Sequence, residues 1–288
     1  MSDAIKKRKL FAENDSDVDD CEETMGDAVI ESSPMTTTMV TTTMNVSQQG
    51  SLTVDELLST KNTLETLDRA LDQFSLYDGH VGQCAYQLAE LIRLAKGKRN
   101  ILEIGFHAGH SAAVFLANAH PEATVTSVDI GEHTNYLPSA KLWIDRTFPG
   151  RHQLILRDSK EILKSWSLHA QNAACPQLRS YDLIFIDGGQ DYVTVLSDFT
   201  LCYNHFWKKD FSVDESAPVL ILNNVSPPPF AQGAHTHAAT RVWLEEVERC
   251  LGPLAPPSTR NRSIRLSFKP FQASRGMGWL TRMKNVPS

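Results

Sequence analysis

Past residue 50, apolar and polar positions follow two patterns in turn. Between Thr53 and Ala95 the apolar residues recur at helical spacing. Leu57, Leu64, Leu67, Leu71 and Phe74 form one stripe, and Val81, Cys84, Leu88, Leu91, Ile92 and Ala95 form a second. The spacing predicts helices over 53–75 and 81–96, broken by Tyr77-Asp-Gly-His80 and ended by Lys96-Gly-Lys-Arg-Asn100. Thr53-Val-Asp-Glu56 is a capping-box pattern, in which hydroxyl and carboxylate each satisfy a free amide. From Asn100 the pattern changes. Short apolar runs at Ile101–Ile104, Thr124–Val128, Gln153–Leu156, Leu183–Ile186 and Val219–Leu222 alternate with helix-like segments at 110–119, 139–148, 159–168, 191–207 and 238–251. Two further strands are predicted near Ile264–Phe268 and Gly278–Met283. Runs apolar on both faces suit parallel strands, and the alternation with helices implies an α/β protein. The expected fold is a Rossmann-like, doubly wound, mostly parallel seven-stranded sheet over 99–288, with an N-terminal helical cap over 51–98.

Composition separates the first 50 residues from the rest. They hold four basic and ten acidic residues, a balance of −6, and one aromatic, Phe11. Tracts such as Asp15-Ser-Asp-Val-Asp-Asp20 cannot bury enough apolar surface to offset their ordering entropy, so 1–50 reads as a disordered acidic tail. The remainder holds 24 basic and 24 acidic residues, which argues against a broad nucleic-acid-binding face. Cys21, Cys84, Cys175, Cys202 and Cys250 contain no CxxC pair and are odd in number, the pattern of free thiols in a reducing compartment. No run approaches the ~18 apolar residues of a membrane span, and the basic N-terminus lacks the apolar core of a secretory signal. A cytoplasmic protein is expected, with Lys6–Lys9 as a candidate nuclear import signal.

The most informative segment is Ile101-Leu-Glu-Ile-Gly-Phe-His-Ala-Gly-His-Ser111, a buried strand running through a glycine turn into a helix. In doubly wound sheets such a turn receives the ligand at the strand's carboxyl end. A dinucleotide fingerprint beginning at Gly105 would need glycines at 107 and 110, and both are histidine. The pattern is instead acidic-x-Gly-x-x-x-Gly-x-Ser: Glu103, Gly105, Gly109, Ser111. The next strand ends in Asp129, placed as a carboxylate that accepts ribose hydroxyls.

Over about residues 80–225 the sequence resembles the class I S-adenosylmethionine (SAM)-dependent methyltransferases. The nearest patterns are those of small O-methyltransferases of the catechol type, and of a related group with "GDS" and "DGGH" signatures. Asp158-Ser159 matches the first signature with Arg157 in place of its glycine, and Asp187-Gly-Gly-Gln190 matches the second with Gln190 in place of its histidine. The resemblance implies that Gly105, His107 and Gly109 form the turn under the methionine part of SAM. It places Glu103 and Ser111 at the amino and carboxylate ends, Asp129 at the ribose, Ser159 with Asp158 at the adenine, and Asp187 beside the sulfonium and substrate. Asp158 also suits a helix cap.

The catechol type holds a divalent metal with an Asp after strand four and an Asp-Asn pair after strand five. Here Asp187 and Asn223-Asn224 occupy those places, so one carboxylate is an amide and no tightly bound metal is expected. The family's proton-handling residue is also absent, because Gln190 stands there. His235, in the loop after strand five, is the candidate base beside Asp187. The leading expectation is a SAM-dependent methyltransferase acting on a small molecule at oxygen, with no membrane partner and compatible with a homo-oligomer. The alternatives are an aminopropyl-transferring relative and a catalytically degenerate SAM-binding interaction module.

Overall fold

The computed structural model describes residues 52–74, 84–169, 180–212, 215–225, 237–248, 264–272 and 275–283. All lie in the second of two units into which the chain divides, Gln48–Ser288. The predicted acidic tail, Lys6–Lys9 and His235 fall outside the described residues.

The elements follow the predicted alternation. Helices α1 (Val54–Leu71) and α2 (Ala85–Ala95) come first. Strands β1 (Asn100–Ile104), β2 (Thr124–Asp129), β3 (His152–Leu156), β4 (Leu183–Ile186) and β5 (Val219–Asn223) then alternate with α3 (His110–Asn118), α4 (Leu137–Thr147), α5 (Ser159–His169), α6 (Tyr192–Leu201) and α7 (His237–Val242). The hairpin β6 (Ile264–Gln272) and β7 (Arg275–Arg282) completes one seven-stranded sheet in the order β3-β2-β1-β4-β5-β7-β6. Strands β1 to β5 are parallel and β7 is antiparallel to β5.

The strand order explains the two faces. The chain moves outward from β1 to β3, then crosses back to β4 on the other side of β1. Right-handed crossovers put the helices of the two halves on opposite faces. One buried layer joins α1, α2, α3 and α4 to Ile101, Val125, Phe185 and Ile221. The other joins α5, α6 and α7 to Leu102, Ile104, Ile184, Ile186 and Leu222. With both faces covered, alternate residues of each strand enter different cores, hence the uninterrupted apolar runs.

The capping box at Thr53 forms as predicted: Glu56 N–H donates to Thr53 Oγ1 at 3.2 Å, and Thr53 N–H to Glu56 Oε2 at 2.8 Å. Lys96, at the end of α2, reaches the same carboxylate at 2.8 Å. That ammonium, ahead of the Thr53 contacts, draws the Glu56 carboxyl down to about 2. The predicted cap is therefore a layer of helices. Helix α1 lies chiefly on α3 and α4 through Leu64, Leu67 and Leu71.

Two predicted helices end differently from the sequence reading. Instead of running to 207, α6 passes into a π-helical segment, Cys202–Phe206, closed by Trp207 N–H on Cys202 C=O at 2.9 Å. The wider turn puts Cys202 and Phe206 in the core, and Trp207, which follows in extended backbone, enters it too. A second π-helical segment, Trp243–Glu248, continues α7. No helix among the described residues is long and apolar enough to cross a membrane.

Candidate active site

The strand order reverses between β1 and β4, the place where parallel sheets open a crevice at their carboxyl ends. A cleft of about 460 Å³ lies there, within the usual range for small-molecule sites. Its walls include Gly105 and His107 after β1, Asp129 at the end of β2, Asp158 and Ser159 between β3 and α5, and Asp187 after β4. Four separate loops thus bring six of the residues singled out in the sequence to one cavity.

Gly105 has φ +94°, a conformation side chains resist, and a Cβ there would stand 2.3 Å from the Asp187 carbonyl oxygen. The β1 and β4 loops therefore touch backbone to backbone, and glycine is the residue that lets them. Gly109, at φ +79°, caps α3, and a Cβ there would press on the Phe106 ring at 2.9 Å. Gly109 shapes the turn from behind and does not line the cleft.

Asp129 organises the turn as well as facing the cleft. Its Oδ2 accepts the N–H groups of Phe106 and His107, each at 2.9 Å, and its Oδ1 accepts that of Gly131 at 2.7 Å. Three of roughly four acceptor positions are used, leaving one for a ligand. The bond at His107 holds that residue at φ +49°. The His107 ring then meets the Tyr136 hydroxyl at 2.6 Å and the His133 ring edge-on, with centroids 4.5 Å apart. This His107–His133–Tyr136 group was not legible from spacing alone, because His107 lies 26 residues before His133.

Glu103 and Ser111 are placed differently from the sequence expectation. Glu103 is fully buried on β1 beneath α3, where its carboxyl is hydrogen-bonded by the Ser111 and Ser127 hydroxyls. Neither Glu103 nor Ser111 lines the cleft; the pair braces the turn from inside. Burial pushes the Glu103 carboxyl up to about 8, against the pull of the two hydroxyls and with a smaller push from Asp187 and Asp129. Burial thus favours its neutral acid form.

Asp158 serves as both cap and wall, since Lys160 N–H donates to its Oδ1 at 2.8 Å. At the end of β5, Asn223 Oδ1 accepts from Gln87 Nε2 of α2 at 2.9 Å, and just past it Asn224 Nδ2 lies 3.4 Å from Asp187 Oδ1. Asn224 thus offers Asp187 an amide donor. No cluster of three His, Cys, Asp or Glu side chains suited to a metal occurs among the described residues. The sequence also missed Thr194, whose side chain packs on Gly189 and joins the cleft wall. Its signal was Asp191-Tyr-Val-Thr194, in which Asp191 caps α6 by accepting the Thr194 N–H at 3.0 Å. Five acidic residues line the cleft (Asp129, Glu132, Asp158, Asp187, Asp191) against two basic ones (Arg157, Lys160), a balance of −3 with histidines neutral. Such a cavity favours a cation.

Residues 102–209 match the family model described as a methyltransferase domain. No curated protein matches the sequence. Among solved structures, the O-methyltransferase TomG from Streptomyces achromogenes, in complex with SAM, is similar with a TM-score of 0.54 at 16% identity, over 77% of this chain and 89% of that one. The cofactor-bound Rv0187 from MTB gives 0.55 at 19%, over 83% and 100%. An O-methyltransferase from Bacillus cereus in complex with SAH gives 0.51 at 14%, over 80% and 92%. At these identities the likeness is one of fold.

Proposed function

We propose that this protein transfers a methyl group from SAM to an oxygen of a small molecule, in the cleft between β1 and β4; the match of residues 102–209 to a methyltransferase domain supports this reading. The observation that carries this reading is the convergence of Gly105, Asp129, Ser159 and Asp187 on one acidic cavity at the switch point of the sheet. Similar folds solved with SAM or SAH support the choice of cofactor.

The residues present fit SAM. Its sulfonium and ammonium groups are cations, and the cavity balance is acidic. The free acceptor position of Asp129 suits a ribose hydroxyl. The glycine turn leaves backbone, rather than side chain, facing the methionine part. When bound, SAM supplies an electrophilic methyl carbon on a positively charged sulfur. Catalysis then rests on alignment, which converts a bimolecular encounter into a positioned displacement. Asp187, held by the Asn224 amide beside the cleft, is placed to orient the acceptor hydroxyl and hold its proton. Glu103, Ser111 and Gly109 keep the turn in shape from behind. His235 stays a candidate base.

The full chain, incubated with methyl-labelled SAM and a panel of phenols and other hydroxyl compounds, should yield labelled products in which the methyl sits on oxygen. Label on nitrogen or carbon would contradict the oxygen assignment. SAM binding without transfer to any acceptor would favour the interaction-module alternative.

A further inference from the structure

Among the described residues, His107 and Asn224 are the non-glycine residues with positive φ, at +49° and +57°. Asparagine enters this region more readily than most residues, yet the conformation persists only where its surroundings hold it. Asn224 is held from both sides. Before it in the chain, Asn223 Oδ1 accepts from Gln87 Nε2 at 2.9 Å, and both side chains are buried between α2 and β5. After it, Val225 N–H donates to the Gly276 carbonyl of β7 at 3.1 Å. A Cβ on Gly276 would stand 2.3 Å from the Val225 carbonyl oxygen, so the two backbones meet closely there.

Gln87 is itself fixed in place. Glu90, three residues on and on the same side of α2, accepts from Lys269 Nζ of β6 at 3.1 Å and from Arg93 Nε at 2.7 Å. Helix α2 is thus fastened to the hairpin by an ion pair and to β5 by an amide pair. A buried amide pair adds little to stability, because apolar residues of the same shape would pack the helix on the sheet about as well. Its neighbours give it a use. Asn223 and Asn224 border a recess that shares Asp187, Gly188, Gly189 and Gln190 with the cleft. From its left-handed backbone, Asn224 sends Nδ2 to 3.4 Å from Asp187 Oδ1. Gln87 lines neither the cleft nor the recess.

We propose that Gln87 is a positioning residue for the methyl-transfer site: through Asn223 it holds Asn224 in the left-handed conformation from which its amide steadies Asp187. The inference rests on the role proposed for Asp187 above. An amide on one carboxylate oxygen limits rotation of the group, so an acceptor hydroxyl meets it in fewer orientations, and alignment is what the reaction needs. Helix α2 thereby acts on the chemistry without touching a ligand.

The test has two arms, both on the full chain. Gln87→Met keeps nearly the same volume and removes the amide. Without ligand, NMR should show that hydrogen exchange of the Asn224 side-chain amide quickens about tenfold in Gln87→Met, the size of one hydrogen bond. Asp187→Ala should quicken it too, while leaving the Gln87 amide unchanged. With methyl-labelled SAM and the panel of hydroxyl compounds, Gln87→Met should lower turnover about tenfold while SAM affinity stays within about threefold. Asn224→Gly keeps the backbone conformation and lacks the amide, so adding Gln87→Met to it should cost no further turnover. If Gln87→Met does not fold, Asn223→Leu removes the same bond from the strand side and is read in the same way. An Asn224 amide unmoved by Gln87→Met overturns the proposal, and so does an additive loss in the double variant. If the amide responds as expected but no compound is methylated, the transfer reading falls and the positioning role in it falls too.

Discussion

At Gly105, backbone conformation and ligand site coincide. Any side chain there must adopt φ +94° and overlap the Asp187 carbonyl. Gly105→Ala should weaken SAM binding by about fivefold to a hundredfold, since strain of about 1–3 kcal/mol must be relieved by moving the β1 or β4 loop. Calorimetry on the folded variant reads this directly. Glu103 makes a different prediction. Its folded-state value of about 8 lies above its ordinary 4.5, so the native protein binds a proton that the unfolded chain releases across that window. The stability this contributes is complete at low pH and is lost as pH rises through about 8. Glu103→Gln keeps the shape without the titration. Its unfolding free energy should therefore gain on the wild type between about pH 4.5 and about pH 8, by up to ~1.4 kcal/mol per pH unit, and denaturant titration across that range reads it. A constant difference would contradict the buried neutral acid. Of the residues the sequence offered as candidates, Gly105, Asp129, Ser159 and Asp187 line the cleft, because a turn glycine or a polar residue at a strand tip is marked by its neighbours. Glu103 and Ser111 lie behind the cleft wall, which the motif does not reveal because it names residues without saying which side of the strand they take. Along β1, Glu103 shares the face of Ile101 and points into the helical layer.

The elements divide the work between support and site. Helix α1 supplies no residue to the cleft, yet Leu67 is fully buried against the helices behind the glycine turn. Leu67→Ala should destabilise the fold by about 2–5 kcal/mol in denaturant titration, while SAM affinity of the folded fraction changes less than about threefold. A large loss of affinity would mean that α1 shapes the site. The hairpin is held in a similar way: a Cβ on Gly278 of β7 would lie 2.4 Å from the Trp243 ring, so Gly278→Ala should cost about 1–3 kcal/mol through overpacking. Strands β1 to β5 were legible because burial on both faces leaves continuous apolar runs. Strand β6 was read short because it is an edge strand whose Arg265, Ser267 and Lys269 alternate with apolar residues, and because Pro270 looks like a breaker although an edge tolerates it. The π-helical ends of α6 and α7 escaped for another reason: their periodicity departs from the one used to find helices.

For the whole molecule, the order β3-β2-β1-β4-β5-β7-β6 fixes where chemistry can happen, and the sign of the cavity fixes what enters it. Reversal at β1 and β4 gathers strand tips that are far apart in sequence, so the cleft follows from the topology while its acidity follows from the side chains. With Asn223 in place of a carboxylate, turnover should stay within about twofold after chelation of divalent ions, because hard cations are held chiefly by carboxylate oxygens. Loss of activity on chelation, restored by Mg²⁺, would overturn that expectation. The central claim is that this cleft binds SAM, and calorimetric titration of SAM into the full chain beside Asp129→Ala tests it most directly. The account predicts micromolar binding of one molecule per chain, lost in the variant because both the ribose acceptor and the anchor of the glycine turn are removed. No binding by the folded wild type, or equal binding by the variant, would contradict it.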